Sequence, residues 1–263
     1  MSQRLRETFA KGRADGRPLF IPYVTAGYVT REDTVPILLA MEAGGADVLE
    51  LGVPFSDPMA DGATVQHANF VAVEQGVSLR DCFGFVREAR AQGLKAPVVL
   101  MGYYNPILSY GDERAAADGR AAGVDGWIVV DLPPEEAGSF LAACRANDQS
   151  FIPLVAPTTK EPRIGILAAA ADAFLYCVSV TGTTGQRTEM SGDLPAFIAR
   201  VRRHTSLPLA VGFGVSTREH VEAVGKLADA AVVGSAIIAA VDAAGPESRA
   251  QSVREFVEDV SGR

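Results

Sequence analysis

Short apolar runs alternate along the chain with longer segments whose apolar residues recur at helical spacing. Eight such runs are rich in aliphatic and β-branched residues, and they cover residues 19–24, 48–53, 97–101, 127–130, 151–155, 174–178, 207–212 and 231–234. Because most of these runs are continuously apolar rather than alternating, they predict strands of a parallel sheet that is buried on both faces.

A helical segment follows each of the eight predicted strands. These segments are residues 31–43, 64–75 together with 79–92, 113–122, 134–147, 161–170, 193–204, 217–224 and 236–243. Three of them end at Gly44, Gly93 and Gly123, and glycine is the residue that most often terminates a helix. The pattern is therefore strand, loop and helix, repeated eight times.

This repetition predicts the fold class. Eight strand–helix repeats without a linker or a shift in composition indicate an α/β protein whose residues 1–263 form a single (β/α)8 TIM barrel domain. An extra N-terminal helix and a final helix over residues 248–260 are expected to cover the bottom and the side. A doubly wound open sheet is the alternative, but no GxGxxG motif follows the first strand, where residues 25–28 read Thr-Ala-Gly-Tyr.

Charge and cysteine content limit the partners and the compartment. The chain has 24 Lys and Arg against 32 Asp and Glu, a net charge of −8, which argues against nucleic acid as a ligand. Three cysteines without CxxC spacing fit a reducing, cytoplasmic compartment. The N-terminus lacks the apolar core of a secretory signal, and the most apolar stretch, residues 168–180, is too short to span a bilayer, so we expect no membrane association.

Glu50 is the sharpest candidate for chemistry, because it interrupts the apolar second strand. Reactive groups of a barrel come from the C-terminal ends of its strands. A carboxyl group that points inward there is desolvated, which raises its pKa and suits a group that gives and takes a proton near neutrality. The alternative is a structural glutamate that is paired with a neighbour.

Asp57 and Asp61 lie in the loop that follows the same strand. Two carboxyl groups in different environments can have different roles in a reaction. One carries a proton, and the other remains an anion that accepts a hydrogen bond. The alternative is turn chemistry, since Asp before Pro and Asp before Gly are common in loops.

Three glycine-containing loops at the ends of the last three strands predict an anion site. They are residues 181–187, residues 212–217 and the Gly234–Ser235 pair, and the last two open helices. Glycine allows backbone N–H groups to approach an oxyanion closely, and a helix N-terminus adds partial positive charge. Each loop alone is more often a simple turn. The three histidines show no spacing typical of a metal site, so we expect no metal.

Five segments of this sequence carry a resemblance to a known family. They are Leu-Glu-Leu-Gly-Val-Pro-Phe-Ser-Asp-Pro-Met-Ala-Asp-Gly at 49–62, Leu-Met-Gly-Tyr-Tyr-Asn-Pro at 100–106, Asp-Leu-Pro at 131–133, Thr-Gly-Thr-Thr-Gly at 181–185 and Val-Gly-Phe-Gly-Val-Ser at 211–216. In this order and over nearly the whole length, the chain resembles the tryptophan synthase α-subunit family. The resemblance implies retro-aldol cleavage of indole-3-glycerol phosphate to indole and glyceraldehyde 3-phosphate, without a metal or an organic cofactor.

The same resemblance implies roles for individual residues. Glu50 matches the acid/base glutamate that protonates ring carbon C3, and Asp61 matches the aspartate that accepts a hydrogen bond from the indole N–H. Thr184 matches the loop residue that contacts this aspartate. The residues that match the substrate pocket are Tyr176, Tyr23, Leu100, Val130, Leu154 and Phe213, and those that match the phosphate site are Gly185, Gly214, Gly234 and Ser235.

The resemblance also implies a partner. The loops 54–62 and 181–187 match two mobile loops that close over substrate and communicate with a β subunit in an α2β2 complex, to which indole passes through a tunnel. Pyridoxal phosphate is expected only in the β subunit. Ala63, Val180 and the Gln186–Arg187 pair depart from the usual family pattern and bear on the coupling between these loops.

Three other functions compete with this interpretation. A free-standing indole-3-glycerol phosphate lyase releases free indole without a β partner. A catalytically idle subunit would only activate β, which the presence of both carboxylates disfavours. A sugar-phosphate aldolase or isomerase is the third, and a Schiff-base aldolase is disfavoured because no predicted strand carries a lysine.

Overall fold

The computed structural model describes residues 1–178, 193–212 and 214–263. Within these residues, nine strands form one parallel sheet. They are β1 (Leu19–Thr25), β2 (Leu49–Gly52), β3 (Val98–Gly102), β4 (Gly126–Val129), β5 (Ser150–Phe151), β6 (Leu154–Val155), β7 (Leu175–Val178), β8 (Leu209–Gly212) and β9 (Ala230–Val233).

The sheet curls into a barrel that the short segment 150–155 completes. The strand order is β5-β4-β3-β2-β1-β9-β8-β7-β6, so β5 and β6 are the two edges. The Ile152 N–H donates to the Trp127 carbonyl of β4 at 2.9 Å, and the Pro153 carbonyl accepts from the Tyr176 N–H of β7 at 3.1 Å. The predicted barrel is confirmed, whereas the prediction of one continuous strand over 151–155 is wrong. Proline has no N–H to donate, and the segment changes partner from β4 to β7 at this point.

Helices follow the strands and cover the outside of the sheet. The described residues contain α1 (Gln3–Ala14), α2 (Thr34–Ala43), α3 (Ala63–Glu74), α4 (Leu79–Ala91), α5 (Tyr104–Tyr110), α6 (Asp112–Ala122), α7 (Gly138–Ala146), α8 (Glu161–Ala170), α9 (Leu194–Arg202), α10 (Arg218–Gly225), α11 (Ser235–Asp242) and α12 (Arg249–Ser261). A short 3₁₀ helix, Arg31–Asp33, precedes α2. None of the described helices is long and apolar enough to cross a bilayer.

Two helix predictions need correction. The helix predicted over 134–147 begins only at Gly138, because the N–H groups of Glu136 and Ala137 both bond to the Pro133 carbonyl in a preceding turn. Helix α5 was not predicted, and its first turn contains Pro106, a residue that a helix tolerates only near its start.

The predicted N-terminal helix lies across the N-terminal ends of the strands. The Ser2 N–H donates to Ser150 Oγ at 3.0 Å, and Arg4 forms two hydrogen bonds of 2.8 and 2.9 Å with the buried Asp125 carboxylate before β4. Phe9 packs on Phe174 just before β7, with 5.0 Å between ring centroids. Helix α1 therefore closes this end of the barrel and leaves the C-terminal end for a site.

Candidate active site

A pocket lies at the C-terminal end of the barrel. It opens to solvent, and its empty space together with the solvent space at its mouth is about 590 Å³. Its lining residues come from β1, β2, β3, β7 and β9 and from the segments after β2, β8 and β9, and they are Tyr23, Glu50, Asp61, Val65, Met101, Tyr176, Gly214, Val215, Ser216, Val232, Gly234, Ser235 and Ala236. Seven residues named from the sequence thus share one pocket: Glu50, Asp61, Tyr23, Tyr176, Gly214, Gly234 and Ser235.

Glu50 occupies the interior of the barrel. It is 1% exposed, and it lies in register with Tyr23 of β1 and Val99 of β3. Its Oε1 atom is buried and has no hydrogen-bond partner among the described residues. Burial, and secondly the charge of Asp61, raise the pKa of Glu50 from its ordinary value of 4.5 to about 8. The carboxyl group therefore carries a proton at neutral pH.

Asp61 is the second buried carboxyl group of the pocket, and it is 6% exposed. Its Oδ2 accepts a hydrogen bond of 3.1 Å from the Tyr103 hydroxyl, and its backbone carbonyl accepts one of 2.8 Å from Gln66 Nε2. Burial raises the pKa of Asp61 to about 6, and the Tyr103 hydrogen bond opposes part of this rise. Asp61 is thus ionised at a pH where Glu50 is still protonated. Asp57, in contrast, is on the exposed part of the loop.

Tyr103 holds the segment that carries Asp61, a contact that sequence reasoning missed. Its ring stacks on Phe55 with 4.9 Å between centroids, and its hydroxyl accepts a 2.9 Å hydrogen bond from the Ala60 N–H while donating to Asp61. One side chain therefore contacts the start and the end of the loop after β2. The sequence signal for this contact was a tyrosine directly after β3, which pairs with the strand that carries Glu50.

Another wall of the pocket consists of two helix N-termini. Gly214 and Ser216 precede α10, whose cap residue Thr217 accepts a hydrogen bond from the His220 N–H, and Gly234 caps α11, which begins at Ser235. The first N–H groups of a helix have no partner within that helix, and the helix dipole adds partial positive charge there. Gly214 has a φ of +82°, a conformation that favours glycine. This wall can bind a phosphate group through backbone N–H groups.

Tyr23 and Tyr176 face the interior next to the carboxyl groups. A Cβ atom at Gly52 would collide with the Tyr23 hydroxyl, and one at Gly212 would collide with the Tyr176 hydroxyl. Glycine at these two strand positions therefore makes room for the tyrosines. Gly52 was not recognised from the sequence as part of the site, and Gly212 was named only as the start of the predicted anion-binding loop 212–217.

Leu100, Val130 and Leu154 do not line this pocket. Leu100 pairs with Trp127, whose ring packs on Phe83 and Phe140 in the helical layer, whereas the next residue, Met101, lines the pocket. Successive strand residues point to opposite faces, so Leu100 faces the helices. Val130 and Leu154 line a separate depression near the ends of β4 and β6.

Other residues named from the sequence fall outside the described residues or away from the pocket. Thr184, Gly185 and Phe213 lie outside the described residues, as do Val180 and the Gln186–Arg187 pair. Across residues 1–178, 193–212 and 214–263, no group of three or more His, Cys, Asp or Glu side chains could hold a metal ion.

Comparison with known proteins identifies the family. A family model described as tryptophan synthase alpha chain matches residues 9–262. The tryptophan synthase alpha chain of Roseiflexus sp. (strain RS-1) is 50% identical over 259 residues, covering 98% of this chain and 99% of that protein. The tryptophan synthase of Saccharomyces cerevisiae is 48% identical over 261 residues, covering 99% of this chain, which spans only 37% of the yeast protein.

Solved structures agree with this assignment. A chain of the tryptophan synthase complex from Pyrococcus furiosus superposes with a TM-score of 0.86 at 36% identity, covering 94% of this chain and 98% of that chain. Sequence and fold therefore lead to the same conclusion over nearly the whole length. The chain belongs to the tryptophan synthase alpha chain family.

Proposed function

We propose that this chain is the α subunit of a tryptophan synthase and cleaves indole-3-glycerol phosphate to indole and glyceraldehyde 3-phosphate. The observation that carries the proposal is the arrangement of one pocket. Two buried carboxyl groups with different pKa values, Glu50 and Asp61, line the same pocket as two helix N-termini. The substrate has a basic ring carbon and an N–H group at one end and a phosphate at the other.

Glu50 is the acid and the base of the proposed reaction. In its protonated form it donates a proton to ring carbon C3 of the indole, which gives a cationic, indolenine-like intermediate. The resulting carboxylate then accepts the proton of the side-chain hydroxyl on the carbon attached to C3. The carbon–carbon bond breaks, its electron pair returns to the ring, the aldehyde forms, and Glu50 is protonated again. A raised pKa favours both transfers near neutrality.

Asp61 stabilises the positive charge of the intermediate. As an anion held by Tyr103, it accepts a hydrogen bond from the indole N–H, whose acidity increases when the ring is protonated. Tyr23 and Tyr176 form the part of the pocket wall that contacts the ring and the side chain of the substrate. Gly214, Gly234 and Ser235 bind its phosphate. Thr184, Gly185 and Phe213 remain predictions from the resemblance, and we assign no role in the pocket to Leu100, Val130 and Leu154.

A β subunit is the proposed partner, in an α2β2 complex to which indole is delivered. We assign no metal or organic cofactor to the chain and expect pyridoxal phosphate in the β subunit alone. A cytoplasmic location is supported by three free, buried cysteines, which fit a reducing compartment.

A single domain over residues 1–263 is also proposed. It is supported by a buried apolar cluster that extends from Leu5 in α1 to Val260 in α12. Such a domain should unfold in one cooperative calorimetric transition, and two separated transitions would contradict it.

The proposed roles predict a bell-shaped pH dependence of kcat/KM. Activity should rise as Asp61 ionises with an apparent pKa of about 6 and fall as Glu50 loses its proton with an apparent pKa of about 8. Steady-state rates of indole release between pH 5 and pH 9 measure both limbs. A profile that stays flat between these limits would contradict the assignment.

The decisive experiment measures indole release from indole-3-glycerol phosphate by the purified chain, alone and with a tryptophan synthase β subunit. We expect slow turnover alone and a large increase with β. Fast turnover that ignores β would replace the proposal with the free-standing lyase. Absence of turnover in both conditions would contradict both functions.

A further inference from the structure

Two hydroxyl groups form a buried pair beside the carboxyl groups of the pocket. The Tyr23 hydroxyl and Thr25 Oγ1 are 3.0 Å apart, and either atom can be the donor. Thr25 is completely buried and Tyr23 is 6% exposed. Since each hydroxyl can donate and accept, the direction of this hydrogen bond can reverse without movement of a heavy atom.

The Tyr23 hydroxyl is directed towards the strand that carries Glu50. Tyr23 and Glu50 are in register on adjacent strands, and the Tyr23 hydroxyl lies against Gly52, two residues after Glu50 on the same face of β2. On its other side, the Tyr23 ring is next to Gly234, where a Cβ atom would lie 3.5 Å from the ring. Tyr23 therefore lies between the carboxyl groups and the N-terminus of α11.

Glu50 needs a hydrogen-bond donor whenever it is ionised. Its Oε1 is buried without a partner among the described residues, and a buried carboxylate without a hydrogen bond is strongly destabilised. The described titratable groups that face Glu50 are Tyr23 from β1, Asp61 after β2 and Tyr176 from β7.

Tyr23 and Tyr176 are the two hydroxyl groups in this set, and of the two only Tyr23 lies on a strand that pairs with the strand of Glu50. Asp61 is an anion at neutral pH and repels the charge, and the nearby Tyr103 hydroxyl already binds Asp61 and Ala60. The Tyr176 hydroxyl lies against Gly212 of β8, whereas the Tyr23 hydroxyl lies against β2 itself.

We propose that Tyr23 is a positioning residue whose hydroxyl turns from Thr25 to Glu50 when Glu50 becomes a carboxylate. In this state Thr25 donates to the Tyr23 oxygen, and the Tyr23 O–H donates to Glu50, so no proton leaves either hydroxyl. The ionised form of Glu50 gains a charge-assisted hydrogen bond, which lowers its pKa relative to a pocket without this hydroxyl. The inference rests on the proposed function only in one respect, namely that the carboxylate form of Glu50 is a state of the proposed reaction.

The test titrates Glu50 directly and needs no substrate. Protein carrying ¹³C at the glutamate carboxyl carbons is titrated by NMR, and the Glu50 signal is identified by its absence in Glu50→Gln. Tyr23→Phe should raise the Glu50 pKa by about one pH unit, the size expected for loss of one hydrogen bond to a charged group. An unchanged Glu50 pKa in Tyr23→Phe would overturn the proposal.

Two further variants separate this role from a structural one. Thr25→Val removes the competing acceptor but keeps the Tyr23 hydroxyl, so the Glu50 pKa should stay at or below the unsubstituted value. A rise equal to that in Tyr23→Phe would indicate disturbed packing and overturn the proposal. The double variant Tyr23→Phe/Thr25→Val leaves no buried hydroxyl without a partner and should reproduce the upward shift, so it keeps the test open if Tyr23→Phe folds poorly.

Indole release by the unsubstituted chain is measured in parallel. A chain without indole release but with the upward shift contradicts the proposed function and leaves the Tyr23 role intact. A chain that releases indole but shows no shift contradicts the Tyr23 role alone. In an active chain, the high-pH limb of kcat/KM should move upward in Tyr23→Phe with the Glu50 pKa.

Discussion

Glu50→Gln should abolish indole release, with kcat at least about 10³-fold lower, because the amide can neither donate nor accept the proton that the reaction requires. General acid or base catalysis alone contributes about 10² to 10⁴-fold, and Glu50 is assigned both steps. Glutamine keeps the volume of glutamate, so the pocket should retain its shape. The measurement is steady-state indole formation in the presence of β.

The matched control is Glu7→Gln, which makes the same chemical change on the exposed face of α1, at the other end of the barrel. It should retain the activity of the unsubstituted chain. A Glu50→Gln variant with more than about a tenth of that activity would contradict the acid/base role, since this is well short of the smallest loss expected.

The same variant should be more stable than the unsubstituted chain at neutral and alkaline pH. The pKa of Glu50 is raised in the folded state, so its contribution to stability is fully present below pH 4.5 and is lost as the pH rises towards about 8. Glutamine does not titrate and avoids this loss. Melting temperatures should therefore diverge in favour of Glu50→Gln between pH 5 and pH 8, which also shows that lost activity does not result from unfolding.

The sequence contained enough information to predict the barrel and the central pair of carboxyl groups. A glutamate within an apolar strand is conspicuous because burial of an unpaired acid is costly, and the structure shows the corresponding rise in pKa. Glycines at the junctions after β8 and β9 were informative for a similar reason. A backbone that must approach a ligand or adopt a positive φ, as at Gly214, strongly favours glycine.

Other features could not be read from the chain. Leu100 and Met101 are both apolar, and a strand that is buried on both faces gives no alternation from which to decide which of them points inward. The interruption at Pro153 depends on which strands lie on either side. The role of Tyr103 depends on the path of a loop that returns to it through Phe55 and Ala60. These are tertiary contacts, which local patterns do not specify.

Asp61→Asn should lower kcat/KM by about 10² to 10³-fold, the range found when one preorganised electrostatic contact to a developing charge is removed. Asparagine retains an oxygen that can accept from Tyr103, so the loop should keep its position, but the negative charge that stabilises the cationic intermediate is lost. Because the charge of Asp61 also contributes to the raised pKa of Glu50, the high-pH limb of the profile should move to lower pH.

Tyr103→Phe is the matched variant for this prediction, because it keeps the Asp61 charge and removes the hydrogen bond that stabilises it. That hydrogen bond lowers the pKa of Asp61, so its loss should move the low-pH limb upward, while activity near pH 8 should fall much less than in Asp61→Asn. Asp61→Asn should thus remove the low-pH limb and move the high-pH limb to lower pH, whereas Tyr103→Phe should move only the low-pH limb, to higher pH. If Asp61→Asn retains normal turnover or keeps the low-pH limb, Asp61 is not the anion that stabilises the intermediate.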